Sequence, residues 1–203
     1  MMIPGLVLFA NKEKKQRMKQ KVIIEIIPTK DVFVGDPKAP VTLMQYGDYE
    51  SEACAKVNEV VDKLLKQFDG RMRFNFRHFP LTKIHQQSQK AAEASLGAAQ
   101  EGKFWEMHNM LFAHRRRLGA ISLREYAKEV GVVNKKFLED LVNSVYGWQV
   151  RNDLLEGLDK GVRDVPAFFI NGELFTGKPT FENLRKGIEA ALGQKKKKTA
   201  AKV

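Results

Sequence analysis

Strand-like and helix-like patterns alternate in the middle of this 203-residue chain, and the alternation constrains its fold more than any other feature. A run rich in β-branched and aromatic residues at Val41–Tyr46 predicts a strand. Apolar residues then recur every three or four positions from Cys54 to Phe68, which predicts a helix with one buried face and Ser51 as its N-cap. Apolar and polar residues alternate over Met72–His78, which predicts a second strand with one face wet or screened. Strand, helix and strand form a βαβ unit, which indicates a mixed α/β domain.

Further elements flank this unit on both sides. They are, in chain order, a strand at Val22–Ile27, a loop at Gly35–Pro40, a helical block over residues 86–159 with a capping box at Ser122–Glu125, a strand at Val165–Ile170, a hairpin turn at Asn171–Gly172, a returning strand at Glu173–Thr176 and a last helix at Thr180–Leu192. This order predicts one parallel strand pair and one later antiparallel hairpin, with the helical block inserted between strands.

Positive charge is concentrated at the two ends of the chain. The formal net charge is +11, of which residues 1–30 and residues 194–203 each contribute +5, leaving +1 for residues 31–193. Charge runs of this kind are usually solvated ends, so we expect no specific nucleic-acid partner. An alternative hypothesis is that the basic stretches Asn11–Lys21 and Lys195–Lys198 tether the domain to an anionic surface.

The first ten residues, MMIPGLVLFA, are apolar. A secretory signal has positive charge before its apolar stretch, and here the order is reversed. Ten residues are also too few to cross a bilayer, which takes about 20. We therefore expect a cytoplasmic protein without a membrane span. An apolar content of 43% over 203 residues predicts one substantial core.

Cys54 is the only cysteine. A single thiol excludes a disulfide within the chain and a multi-cysteine zinc site. Cys54 falls on the apolar face of the predicted helix, so it is interpreted as a buried structural thiol, with a reactive monothiol as the alternative. The histidines His78, His85 and His108 lie on different predicted elements without metal-ligand spacing, so we expect no metal site.

Four segments carry a further pattern: Gly35–Glu50, Phe79–Leu81 with His85, Gly102–His108 and Gly161–Gly172. In sequence and in spacing they resemble the DsbA-like disulfide oxidoreductases, over about residues 33–192. The resemblance implies a thioredoxin-like α/β fold with an inserted helical domain. It divides the chain into a basic arm with the first strand (1–30), a first thioredoxin-like part (31–85), the helical insertion (86–159), a second thioredoxin-like part (160–193) and a basic tail (194–203).

The resemblance also places a site at the start of the first long helix. The family has Cys-x-x-Cys there, whereas this chain reads Ser51-Glu52-Ala53-Cys54, so the attacking cysteine is a serine and the resolving cysteine is present. Pro166 resembles the cis-proline of the family, which leaves the preceding peptide edge free to pair with an extended substrate. The site residues so implied are Ser51, Cys54 and Pro166, and those implied to contact a peptide or partner protein are Glu52, Ala53, Val165 and Pro166.

The missing first thiol argues against disulfide exchange. A helix N-terminus favours a thiolate, but a serine hydroxyl starts many pKa units higher and does not become a comparable nucleophile there. One sulfur also cannot cycle between dithiol and disulfide. We therefore expect a DsbA-like protein without dithiol redox activity, with no cofactor, that keeps a groove for an extended peptide or partner protein beside Pro166.

Two alternatives stay open. In the first, Ser51 is an engineered replacement for the first cysteine of an active disulfide oxidoreductase. In the second, Ser51 acts as in kappa-class glutathione transferases and 2-hydroxychromene-2-carboxylate isomerases, which are similar in fold and place a serine at the matching point. Glutathione would then be the bound cofactor. The sequence leaves the oligomeric state open.

Overall fold

The structure, a computed structural model, describes residues 26–200, with side chains as far as Gln194. The predicted apolar start of the chain, the basic stretch Asn11–Lys21 and most of the predicted strand Val22–Ile27 lie outside the described residues. The side chains of Lys195–Lys198 lie outside them as well, so the tethering hypothesis stays a prediction.

The described part forms five strands and seven α-helices. The strands are β1 (Phe33–Gly35), β2 (Val41–Gly47), β3 (Met72–His78), β4 (Ala167–Ile170) and β5 (Glu173–Phe175). The helices are α1 (Glu52–Gln67), α2 (Ser88–Ala99), α3 (Phe104–Ala113), α4 (Ala120–Glu129), α5 (Phe137–Val142), α6 (Gly147–Asp159) and α7 (Phe181–Ala200).

One mixed sheet organises these elements, in the order β1-β3-β2-β4-β5. Strands β2 and β3 are parallel, and every other neighbouring pair is antiparallel. The predicted βαβ unit and the predicted hairpin are both present. At the hairpin, Asn171 and Gly172 have φ values of 51° and 90°, which suits the Asn-Gly pair that favours such tight turns. The helical block lies between β3 and β4, so the mixed α/β architecture predicted from the sequence is confirmed.

Two strand predictions need correction. Only Ile26 and Ile27 of the predicted first strand are described, and neither lies in a strand. The Ile27 N–H donates to the side-chain oxygen of Gln100 at 3.0 Å instead of to a neighbouring strand. The edge strand is β1, which overlaps the start of the segment predicted as a loop. Strand β4 begins at Ala167 and not at Val165, because Pro166 has no N–H to donate to a ladder.

Two helix predictions also differ from the structure. Helix α4 begins at Ala120 with Gly119 as its N-cap, so the predicted capping box at Ser122–Glu125 is wrong: Ser122 lies inside the first turn. Helix α7 continues past the predicted end at Leu192, as far as Ala200. Four of the eight added residues are lysines, which have high helix propensity.

Strand β3 has both faces covered, and this arrangement holds the helical block on the sheet. Arg77, on one face, is 6% exposed and contacts α6 through Asp153. Phe76 and His78, on the other face, lie among the aromatic residues of α3. Helix α6 approaches closely because Gly157 has no side chain: a Cβ there would lie 2.9 Å from the Phe79 ring. The face of β3 that carries Arg77, predicted to be either solvated or covered, is therefore covered by α6.

Candidate functional site

The turn between β2 and α1 is anchored by a buried aspartate. Asp48 is 2% exposed and accepts hydrogen bonds from the Glu50 N–H at 2.8 Å and from the Leu81 N–H at 2.7 Å. The same carboxylate lies 2.9 Å from His85 Nδ1. These contacts fix the start of α1 against the loop that follows β3, so the segments singled out in the sequence as Gly35–Glu50 and Phe79–Leu81 with His85 meet at one place.

Ser51 is the N-cap of α1, as predicted. Its backbone is extended, with φ −68° and ψ 123°, and its Oγ accepts the Cys54 N–H at 3.3 Å. The Ser51 N–H in turn donates to the Asp48 carbonyl at 3.2 Å. Ser51 is only 7% exposed. The Ser51 hydroxyl therefore lies next to the amide N–H groups of the first helical turn. A cysteine at position 51 would place its thiol at the same point.

Cys54 is fully buried on the core face of α1. Burial raises the pKa of its thiol to about 11, although the hydrogen bond with Ser51 acts in the opposite direction. A thiol with this pKa is almost entirely protonated at neutral pH, and the thiolate is the reactive form. The geometry favours the structural interpretation of Cys54 over the reactive monothiol.

Pro166 lies beside this turn in the sheet. The register pairs Ala167 of β4 with Tyr46 of β2, so Pro166, one residue before Ala167, lies level with Gly47 at the end of β2. The Val165–Pro166 peptide bond is cis, and Pro166 is half-buried. The fold thus brings the loop before β4 to the same edge of the sheet as the turn that leads to Ser51.

The other predicted contact residues differ in accessibility. Glu52 and Ala53 are exposed at the start of α1, whereas Val165 is 8% exposed. The Val165 N–H donates to the Asp164 carboxylate at 2.8 Å. The Asp164 side chain is exposed, whereas the Val165 side chain is buried and does not reach the surface.

A chain of hydrogen bonds through Tyr49, His108 and Asn58, here called the polar relay, packs against the turn between β2 and α1. The Tyr49 hydroxyl lies 3.1 Å from His108 Nδ1, and His108 Nε2 lies 2.9 Å from Asn58 Oδ1. A neutral imidazole satisfies both contacts: Nε2–H donates to the amide oxygen, and Nδ1 accepts from the hydroxyl. Sequence reasoning missed this relay because its members lie on separate elements, 59 and 50 positions apart.

His78 lies next to this relay and is also held neutral. It is 1% exposed, with Nε2 3.3 Å from Ser95 Oγ, and that hydroxyl already donates to the Ala92 carbonyl. Nε2 is therefore the donor, and Nδ1, which is buried without a hydrogen-bond partner, stays unprotonated. Burial lowers the pKa of both His78 and His108 to about 3.

These two imidazoles predict a loss of stability in mild acid. Each has a folded pKa below its unfolded value, so the unfolded state takes up more protons and stability falls as pH drops below about 6.5. Together the two histidines should lower the free energy of unfolding by about 1.5 kcal/mol when the pH falls from about 7.5 to about 6. Urea unfolding at the two pH values measures the difference.

Proton NMR of the same protein separates these groups from other acid effects. The ring signals of His78 and His108 are expected to keep their neutral positions at pH 6. Ring signals of either buried histidine that shift between pH 7.5 and pH 6 in the folded protein would contradict the prediction.

Within residues 26–194, no group of three or more His, Cys, Asp or Glu side chains is arranged to hold a metal ion. His85 lies with Asp48, whereas His78 and His108 lie in the aromatic core.

The fold and the helix-terminal site together define a class, and comparison with known proteins agrees. The chain belongs to the thioredoxin family: the family model described as Thioredoxin matches residues 28–190. The resemblance to DsbA-like proteins seen in the sequence is confirmed at the level of the fold.

Solved structures share this fold. BdbD from Bacillus subtilis in its oxidised form has a TM-score of 0.73 and 24% identity, covering 79% of this chain and 92% of that chain. The thiol-disulfide exchange protein α-DsbA2 from Wolbachia pipientis has a TM-score of 0.67 and 22% identity, covering 89% of this chain and 95% of that one. The predicted thioredoxin-like α/β fold is confirmed.

Curated relatives match a similar stretch inside longer proteins. Na(+)/H(+) antiporter NhaA 1 from Salinispora arenicola is 34% identical over 171 residues, which is 84% of this chain and 26% of that protein. Na(+)/H(+) antiporter NhaA 1 from Mycobacterium sp. (strain KMS) is 35% identical over 165 residues, 80% of this chain and 27% of that protein. The chain thus spans about a quarter of the length of these relatives. Among the helices of residues 26–200, none combines the length and the apolar character that crossing a bilayer requires.

Proposed function

We propose that this chain is a DsbA-like protein without dithiol redox activity, which holds an extended peptide or partner protein in the groove between Ser51 and Pro166. One observation carries the proposal: a serine hydroxyl takes the N-cap position of α1, and the only cysteine of the chain lies fully buried behind it. Exchange within one chain needs two sulfurs, one of which attacks as an exposed thiolate. Neither requirement is met.

The groove itself is supported by the surfaces around Ser51. Ala53 is exposed at the start of α1, and Ile84, in the loop tied to the turn by Asp48, is 71% exposed. The backbone before Pro166 borders the opposite side and ends the β4 ladder. An extended segment that pairs with this backbone gains main-chain hydrogen bonds, and its side chains reach exposed apolar groups such as Ile84.

The redox part of the proposal predicts no turnover. Purified protein should not accelerate insulin reduction by dithiothreitol, and it should not oxidise a dithiol peptide. Iodoacetamide should label Cys54 rapidly only after unfolding in urea, since the thiol is fully buried and its pKa is raised. Catalysis above background by the purified chain would overturn the proposal.

The binding part is tested by blocking the groove. Ala53→Trp places a large uncharged side chain at the exposed start of α1, and Ala190→Trp places the same side chain at an exposed position of α7, on another surface. Peptides that bind the unmodified protein in a fluorescence-anisotropy screen should lose at least about tenfold in affinity with Ala53→Trp, or about 1.4 kcal/mol, and keep it with Ala190→Trp. Equal affinity for both variants would place the binding elsewhere.

Glutathione binding at Ser51 is the second candidate, because a hydroxyl at a helix N-terminus suits stabilisation of a bound thiolate. Against it, Ser51 is 7% exposed and its oxygen already accepts the Cys54 N–H. Calorimetric titration decides between the two: no heat at millimolar glutathione rejects this candidate. A cytoplasmic location, and an extended peptide or partner protein as the ligand, are also parts of the proposal.

A further inference from the structure

The loop that follows α3 carries a cluster of cations next to the start of α1. We call the segment His114–Arg117 the arginine loop; it contains three consecutive arginines and no acidic residue. Its position is set by Arg115, which bonds Glu52 at 3.1 Å across 63 positions of the chain. Glu52 directly follows Ser51. The arginine loop therefore borders the groove of the proposed function.

The arginine loop is held in one conformation by contacts with its surroundings. The Arg117 N–H donates to the His114 carbonyl at 2.8 Å, and the Arg117 carbonyl accepts from the Tyr126 hydroxyl at 3.1 Å. The His114 ring stacks on Tyr126, with ring centroids 4.9 Å apart and planes 19° apart. A fixed backbone presents its charged side chains with less loss of conformational freedom on binding than a mobile loop does.

The charges of the arginine loop are only partly compensated. Glu52 pairs with Lys56 at 2.8 Å and with Arg115 at 3.1 Å, and these cations lower the pKa of its carboxyl. Arg116 and Arg117 are exposed, and among the ion pairs of the described residues neither takes part in one. Two guanidinium groups thus remain without an ion pair in the segment that Arg115 links to Glu52, and Arg116 is close enough to Glu52 to help lower the pKa of that carboxyl.

We propose that the arginine loop selects acidic polypeptide segments for the groove, with Arg116 and Arg117 binding the carboxylates of the bound chain. This inference rests on the proposed function and names its substrate class. Guanidinium groups bind carboxylates in a bidentate geometry, and charge complementarity at the rim of an interface raises both specificity and association rate. Residues 31–193, which include the arginine loop, carry a formal net charge of only +1, so the positive charge of the loop is local and does not favour a nucleic acid instead.

The test compares two fluorescein-labelled peptides of about twelve residues that share an apolar centre. One carries four glutamates beside that centre, and the other carries glutamines in their place. In fluorescence anisotropy at low salt, the acidic peptide should bind at least about fivefold more tightly, and the advantage should shrink at about 0.3 M salt. Equal affinities for the two peptides would overturn the inference while leaving the groove intact, whereas failure of both to bind would count against the groove itself.

Variants locate the effect on the arginine loop. Arg116→Gln with Arg117→Gln should remove most of the advantage of the acidic peptide and leave the glutamine peptide unchanged. Lys135→Gln with Lys136→Gln removes the same charge from an exposed segment elsewhere in the helical block and should leave both affinities within about twofold. An equal loss in both double variants would show an effect of overall charge and would overturn the inference. Phosphatidylserine vesicles that bind through Arg116 and Arg117, without selection of the acidic peptide, would also overturn it.

Discussion

Replacing Ser51 by cysteine is expected to give this protein disulfide exchange activity. The new thiol would take the N-cap position, where the amide N–H of Cys54 already points at the side chain of residue 51 at 3.3 Å. That environment favours a thiolate, and thiols at helix N-termini have pKa values lowered to about 3.5–7.5. Cys54, three positions on, would supply the second sulfur. Insulin reduction should rise from background to at least about tenfold above the uncatalysed rate with dithiothreitol.

Two further variants isolate the cause of that gain. Ser51→Cys combined with Cys54→Ala has a thiol at the helix N-terminus without a second sulfur, so it should form mixed disulfides but show no turnover. Ser51→Ala should stay inert. A Ser51→Cys protein that forms its disulfide in air and still fails to catalyse exchange would show that the helix terminus and Pro166 are not a competent site. This result would count against Ser51 as the reason for inactivity.

The argument about Ser51 was accessible from the sequence, because local pattern predicted the helix and the family resemblance implied the site at its start. Residue spacing predicted the buried face of α1, Ser51 as its N-cap and the burial of Cys54, since all three follow from helix geometry. Strand β1 was missed for the same reason: at three residues, ending on Gly35, it is too short to show a period. Its place is fixed by pairing with β3, which is a tertiary contact.

The support of the site was not accessible from local pattern. Tyr49, His108 and Asn58 come from three parts of the chain, and each alone is an ordinary polar residue on an amphipathic element. The sequence places His78 and His108 on different predicted elements, and the structure buries both in the aromatic core. Only the packing of α3 against β3 brings these side chains together.

The buried ion pair between β3 and α6 is a further such contact, and breaking it should have the largest effect on stability. Asp153 is 2% exposed and accepts Arg77 Nε at 2.7 Å, the Thr29 hydroxyl at 2.6 Å and the His78 N–H at 3.0 Å. It therefore satisfies three donors from two segments of the chain. Asp153→Asn keeps the shape but leaves the buried guanidinium of Arg77 without its main counter-charge. The expected loss is about 3–5 kcal/mol in the free energy of unfolding, measured by urea titration.

Glu156→Gln is the matched control, because it makes the same chemical change at the second carboxylate that pairs with Arg77. The Glu156 side chain is 42% exposed, so water can replace its contact and the expected loss is below about 1 kcal/mol. If Asp153→Asn fails to fold, Thr29→Val removes only the hydroxyl donor and should cost about 1–3 kcal/mol. Equal losses for the two carboxylate variants would contradict the argument, because Asp153 differs from Glu156 in being buried and in accepting hydrogen bonds from Thr29 and the His78 N–H as well as from Arg77. The same result would show that α6 is held on the sheet by apolar contacts, such as the approach of Gly157 to Phe79, and not by the ion pair.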